Sequence, residues 1–179
     1  MRKAHINNPE LSPNNSSPKM RGYFGVGVEE ISKGFNLGNL VRTTHAFGGS
    51  FFFTINASVS YSDVKQSDTS HADIHMPFYA HKNLAEFTLP KDCALVGVEL
   101  TDDAVDLPSF THPLRAAYVL GPEKGSLSAG LVKRCDHIVK IPMKFCVNVG
   151  IAGSIVIYDR MISLGRFAER PVRVNRRLK

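Results

Sequence analysis

Arg42 follows Asn36 by six residues in the stretch SKGFNLGNLVRTTHAFGGS. Leu37, Leu40, Val41 and Thr44 recur there at helical spacing, with Phe47 one turn further on, and Gly48 and Gly49 close the pattern. With Asn36 or Asn39 as the cap, Arg42 stands outside the apolar set near the helix start, and Asn36 lies in the entering loop. A guanidinium at a loop–helix junction can fork onto a phosphate or a carboxylate; its plainer use is a weak surface ion pair. Glu123 sits in the loop GPEKGSLS, where an acid also suits a helix N-terminus and its partial positive charge. Cys146 and Asn148 follow Pro142 in KIPMKFCVNVG. His71 and His75, four apart, would share one helical face, but no third ligand or supporting partner is evident, so no metal is expected. Cys93, Cys135 and Cys146 lack C-x-x-C spacing, which argues for a reducing compartment and against structural zinc.

The elements that must position these groups read as strands alternating with helices. Tyr23–Val28 is a first strand; its G-x-G has Glu30 where a dinucleotide fingerprint needs a third glycine, and no phosphate loop occurs elsewhere. Phe51–Ile55, Ala94–Leu100 and Ala116–Leu120 are buried-type strands, and Leu84–Leu89 is a short strand or a helix end. Residues 56–82 show weak periodicity, and Thr101–Asp106 is an acidic loop. Ser128 caps a helix beginning near Ala129, with Arg134 near its end. His137–Ile141 is a strand that Pro142 stops. A helix follows in which Val149, Ala152, Ile155 and Val156 fall on one side, while Gly150, Ala152, Gly153 and Ser154 crowd it with small residues. Each helical glycine costs roughly 1 kcal/mol relative to alanine. Close approach of a backbone or ligand is the reason to accept that cost; a tight helix–sheet contact is the plain form of it. The order predicts an α/β fold with a mostly parallel sheet covered by helices on both faces.

The chain has 179 residues, 43% hydrophobic and 21% charged, enough for one domain with one core. The domain is expected over 22–165, between a flexible N-terminal tail at 1–21 and a basic C-terminal tail at 166–179. A net charge of +6 favours a polyanionic partner, RNA or DNA, although a basic tail also serves as a solvated face. There is no Trp and no aromatic run of the kind that stacks RNA bases. No apolar run approaches the ~20 residues of a membrane span, and the N-terminus lacks the apolar core of a secretory signal, so a cytoplasmic protein is expected.

Three blocks in this order resemble the SpoU (TrmH-like) branch of the SPOUT RNA methyltransferases. The first is Asn36-x-Gly38-Asn39-x-x-Arg42-Thr43 through Phe47-Gly48. The second is Leu120-Gly121-Pro122-Glu123-x-Gly125-x-Leu127-Ser128. The third is Ile141-Pro142-Met143, then Asn148 and a small-residue helix into Tyr158-Asp159. The resemblance spans Tyr23 to Leu164. It implies a C-terminal deep trefoil knot, S-adenosylmethionine as methyl donor (S-adenosylhomocysteine as product), a homodimer, and RNA as substrate, tRNA ahead of rRNA because no extra N-terminal RNA-binding domain is evident. Carried across, Arg42 resembles the catalytic arginine, Asn36 the asparagine that helps place it, and Glu123 a glutamate of the site and dimer. The donor loops follow Val98, contain Gly121 and span Ile141 to Asn148. The third block departs from its pattern: its loop is short, and Cys146 stands where a serine is usual. A thiol bonds weakly, which keeps a catalytically silent RNA-binding module as the competing reading.

Overall fold

The computed structural model describes residues 22–60, 75–165 and 167. The expected tails, apart from Phe167, lie outside the described residues, as does His71. Seven strands form one sheet: β1 (Tyr23–Glu29), β2 (Phe51–Ile55), β3 (Phe78–His81), β4 (Ala94–Val98), β5 (Val105–Asp106), β6 (Arg115–Leu120) and β7 (His137–Lys140). Their spatial order is β3-β2-β1-β6-β4-β7-β5, and every pairing is parallel. Among the described residues the helices are α1 (Gly34–Ala46), the short α2 (Ala129–Val132) and α3 (Val149–Leu164), with a 3-10 turn at Leu107–Ser109.

Both sheet faces are covered, which explains why the central strands read as unbroken apolar runs. On one face Phe24, Val26 and Val28 of β1 meet Leu37, Leu40 and Val41 of α1 and Val156 and Ile157 of α3. On the other, Phe51, Phe53, Ala117 and Val119 pack with Phe87, Leu127 and Leu131. The glycines of YFGVGV serve this second face. A Cβ at Gly25 would lie 2.3 Å from the Phe51 ring, and one at Gly27 would lie 2.2 Å from Phe53. The G-x-G is therefore a pair of seats for two phenyl rings on the neighbouring strand.

Several expectations shift. α1 begins at Gly34, so Asn36 lies in its first turn and Arg42 in mid-helix, away from any loop junction. Lys33 occupies the cap position with no side-chain cap bond; the acceptor comes instead from Glu123, distant in sequence. β4 stops at Val98 and β7 at Lys140, earlier than expected, because the following residues turn away around a cavity. Phe78–His81 is an edge strand that the sequence reading left without structure; its half-exposed residues carry no alternation. Val105–Asp106 adds a two-residue strand inside the acidic loop. Leu84–Leu89 is neither strand nor helix but turns held by Glu86 and Asn83.

α3 begins as the sequence pattern requires. Asn148 caps it, its Oδ1 accepting from the Gly150 N–H at 2.8 Å. The small residues divide two tasks. A Cβ on Gly153 would come 2.5 Å from Leu40, and one on Gly150 would come 3.4 Å from Asn39, so both glycines admit α1. Val149 and Ala152 face the cavity instead.

Candidate functional site

The cavity, about 340 Å³, opens at the C-terminal ends of β4, β6 and β7. In a parallel sheet those ends are where ligands bind, since loops rather than strands meet there. Its volume lies within the usual range for small-molecule sites. Three loops build it: the one after Val98, the one at Gly121–Gly125, and the one from Ile141 to Asn148. Val98, Gly121, Ile141, Cys146 and Asn148, the residues expected at the donor, all line it, as do Asn36 and Glu123.

Glu123 organises the entrance. Its Oε1 accepts from the Lys33 N–H and from Asn36 Nδ2, both at 3.0 Å. Its Oε2 accepts from the Ser32 N–H at 3.1 Å and the Ser32 hydroxyl at 3.0 Å. An acid at a helix N-terminus was the right reading of its type, but the helix is α1 rather than α2. Burial pushes its carboxyl up; the hydrogen bonds from Asn36 and Ser32 outweigh burial and hold it below the usual carboxylate range. Asn36 passes the connection on, its Oδ1 accepting from Asn148 Nδ2 at 2.9 Å. One relay of side chains, Glu123–Asn36–Asn148, thus joins the Gly121 loop, α1 and the start of α3.

Two further carboxylates hold the same loop. Glu29 is buried at the end of β1 and accepts from the Ser128 N–H at 2.7 Å and its hydroxyl at 2.6 Å. Glu99, just after β4, lines the cavity and accepts from the Leu127 N–H at 2.7 Å. The sequence reading missed both. The signal was present: β1 and the β4 segment each run out in Gly-Val-Glu, at Gly27–Glu29 and Gly97–Glu99.

Arg42 is not among the residues lining this cavity; it is exposed on α1, about 9 Å further along the axis than Asn36. Cys146 is exposed on the cavity loop. The other two thiols are shielded: burial raises Cys93 and pushes Cys135 up to about 11, so both stay protonated. His75 stacks on His45 with ring centroids 5.5 Å apart. Among the described residues no cluster of His, Cys, Asp and Glu suits a metal ion, and no helix is long and apolar enough to cross a membrane.

A second polar cluster occupies the opposite, N-terminal edge of the sheet. Arg160, 1% exposed, donates to the carbonyls of Pro113, Leu114 and Tyr23 and, at 3.1 Å, to the Tyr118 hydroxyl. With the Tyr118 oxygen accepting from Arg160, its hydroxyl donates to His112 Nδ1 at 2.6 Å, and His112 Nε2–H then donates to Asp159 at 2.9 Å. That assignment satisfies His112, Tyr118 and Asp159 with a neutral imidazole, while the buried Arg160 Nε has no hydrogen-bond partner among the described residues.

Residues 24–158 match the model of the SpoU rRNA Methylase family. The chain is 31% identical over 142 residues to the 23S rRNA (guanosine-2'-O-)-methyltransferase RlmB of Nitrosomonas europaea, covering 74% of this chain and 53% of that protein. It is 25% identical over 137 residues to the mouse tRNA (guanosine(18)-2'-O)-methyltransferase TARBP1, covering 72% of this chain and 9% of that one. The chain thus spans only part of these relatives' length. Among solved structures, the AdoMet-bound rRNA methyltransferase from Sinorhizobium meliloti superposes with a TM-score of 0.71 at 21% identity, over 82% of this chain and 58% of that one. The fold is accordingly the SPOUT α/β knot expected from the sequence.

Proposed function

The chain belongs to the SpoU methylase family, and from that premise we propose that it transfers a methyl group from S-adenosylmethionine to the 2′-hydroxyl of an RNA ribose. The observation that carries this reading is the cavity itself: the three strand-end loops converge on it, lined by every residue expected at the donor. The lining suits the donor's chemistry. Val98, Leu100, Ile141, Met143 and Val149 offer apolar surface to an adenine, while the Glu99 and Glu123 carboxylates favour a cation. Bound there, S-adenosylmethionine supplies an electrophilic methyl on a positively charged sulfur.

The protein's part is alignment and proton handling. A guanidinium with a pKa above about 12 is no base. Arg42 instead orients the ribose hydroxyl and polarises it together with a substrate phosphate. Asn36 and Asn148 brace the loops around the donor, and Glu123 locks α1 against them.

The functional unit is a homodimer. Ile151, Tyr158 and Ile162 form an exposed apolar stripe along α3. α3 packs beside α1, the helix that carries Arg42. A second copy seated on this face covers the stripe and lets Arg42 of one protomer complete the cavity of the other, which accounts for its absence from its own. The protein works in the reducing cytoplasm, in keeping with three free thiols. The relatives' names include both RNA classes, and tRNA is our first substrate.

Arg42→Ala should abolish methyl incorporation from labelled S-adenosylmethionine while calorimetry shows donor affinity within about twofold of wild type; equal loss of both would contradict the assigned role. Mixing Arg42→Ala with a cavity-blocked Gly121→Trp chain should restore activity to two inactive proteins. No recovery on mixing would place Arg42 in its own protomer's site. Nucleoside mass spectrometry of separated tRNA and rRNA from cells lacking the protein decides the substrate.

A further inference from the structure

Among the described residues, the two most exposed large apolar side chains are Phe145, at 78%, and Phe35, at 74%. Each flanks a residue of the cavity wall: Phe145 precedes Cys146, and Phe35 precedes Asn36. The hydrogen bond between Asn36 and Asn148 ties together the two segments that carry these rings. The same segments and the neighbouring loop carry three lysines. Lys33 lines the cavity, while Lys124 and Lys144 are exposed beside the lining residues Glu123 and Met143. None of these three lysines forms an ion pair among the described residues. Glu123, next to Lys124 in sequence, bonds to Ser32, to the Lys33 N–H and to Asn36 rather than to a lysine side chain.

Two largely exposed phenyl rings on segments that border one cavity offer flat apolar faces to a ligand, and the lysines beside them favour a polyanion. Base-on-aromatic stacking with backbone phosphates on lysines is how single-stranded nucleic acid is held. We propose that Phe145, with Phe35 beside it, is a stacking platform for unpaired bases flanking the target ribose, and that Lys33, Lys124 and Lys144 take the adjoining phosphates. The inference rests on the methyltransferase reading and adds to it the state of the substrate: the nucleotide enters from an unpaired loop, since a base within a duplex has no free face for Phe145. Phe145 is a positioning residue for RNA and touches no reacting atom.

The test uses the full chain, fluorescein-labelled total tRNA and S-adenosylmethionine. Phe145→Ala should weaken RNA binding and raise KM for RNA about tenfold, the size expected for one lost stacking contact. It should leave kcat at saturating RNA, donor affinity, melting temperature and dimer mass unchanged. Phe145→Trp should restore RNA affinity, which a merely structural role would not require. Lys124→Ala with Lys144→Ala should lower the slope of log affinity against log salt by about 1 to 2. Unchanged RNA affinity in Phe145→Ala, with the wild type active, overturns the platform alone. Dissociation of the Phe145→Ala dimer assigns the ring to a second copy of the chain and overturns it equally. A wild-type chain that binds neither RNA nor donor removes the methyltransferase reading, and the platform with it.

Discussion

Glu123 shows how one side chain does structural work that its position in a catalytic block conceals. Its four hydrogen bonds arrive from the Ser32 N–H and hydroxyl, the Lys33 N–H and the Asn36 side-chain amide, at the entrance of a helix that has no side-chain cap bond of its own. Because those donors favour the charged form over the burial that opposes it, the folded pKa lies below the unfolded value. The stabilisation is then present above the unfolded carboxylate range and is lost as pH falls through it to the folded pKa. Glu123→Gln should reduce unfolding free energy by about 1–2 kcal/mol at pH 7, the scale of hydrogen bonds to a charged group on a half-exposed site. In urea titrations the gap from wild type should shrink towards zero below about pH 4. A gap that stays constant with pH would mean that the carboxylate charge contributes nothing. At the same scale, Gly27→Ala should cost about 1–3 kcal/mol by overpacking, since the Phe53 ring cannot share its seat with a methyl. In Phe53→Leu, urea midpoints should show that cost reduced; an identical cost in both backgrounds would contradict the seat.

Among elements, what the sequence discloses depends on where each one finds its partners. Phe51–Ile55 and Ala116–Leu120 were readable almost to the residue because they are buried on both faces and composed accordingly. β3 was not, because an edge strand only partly covered on either face has neither an apolar run nor an alternation. The start of α1 was misplaced because its capping acceptor comes from Glu123, and no local pattern announces a partner so far along the chain. The cavity loops were legible only through the order of three blocks, whereas Glu29 and Glu99, lone acids ending strands, went unnoticed. α3 lies between these cases. Its small residues announced close approach without saying to what, and the structure answers with Leu40 and Asn39 of α1. Gly153→Leu should therefore push α1 away, and with it Asn36 from Asn148 and Arg42 from any shared site. The expected result is a fall in donor affinity of about tenfold together with lost stability. Unchanged calorimetric affinity would show that α1 and the cavity are uncoupled.

Across the whole molecule, α3 connects the two edges of the sheet. It starts at Asn148 in the cavity and ends, about 24 Å on, beyond Asp159 and Arg160 in the polar cluster beneath β1 and β6. The cluster fixes the helix at the edge remote from the chemistry, by bonds to backbone carbonyls that a shift of α3 would strand. His112 is its titratable centre, facing Tyr118, Asp159 and Arg160. Burial lowers its pKa most; the Asp159 carboxylate pulls it back up in part, and Arg160 adds to the lowering. Tyr118 is pushed up to about 12, chiefly by burial, and stays protonated throughout. The unfolded chain therefore takes up a proton on His112 near pH 6.5, while the folded chain resists it until lower pH. Stability is full above about 6.5 and declines as pH falls below that value. His112→Gln, which keeps a donor towards Asp159 and an acceptor towards Tyr118 but cannot titrate, should lower stability modestly at pH 7.5 and decline less steeply than wild type between pH 6.5 and 5. Urea unfolding at pH 7.5, 6.5 and 5.5 measures this, and subtracting the two curves cancels the other histidines. Parallel curves would mean that the imidazole titrates alike folded and unfolded, and that the cluster holds α3 without acting as a proton-sensitive joint.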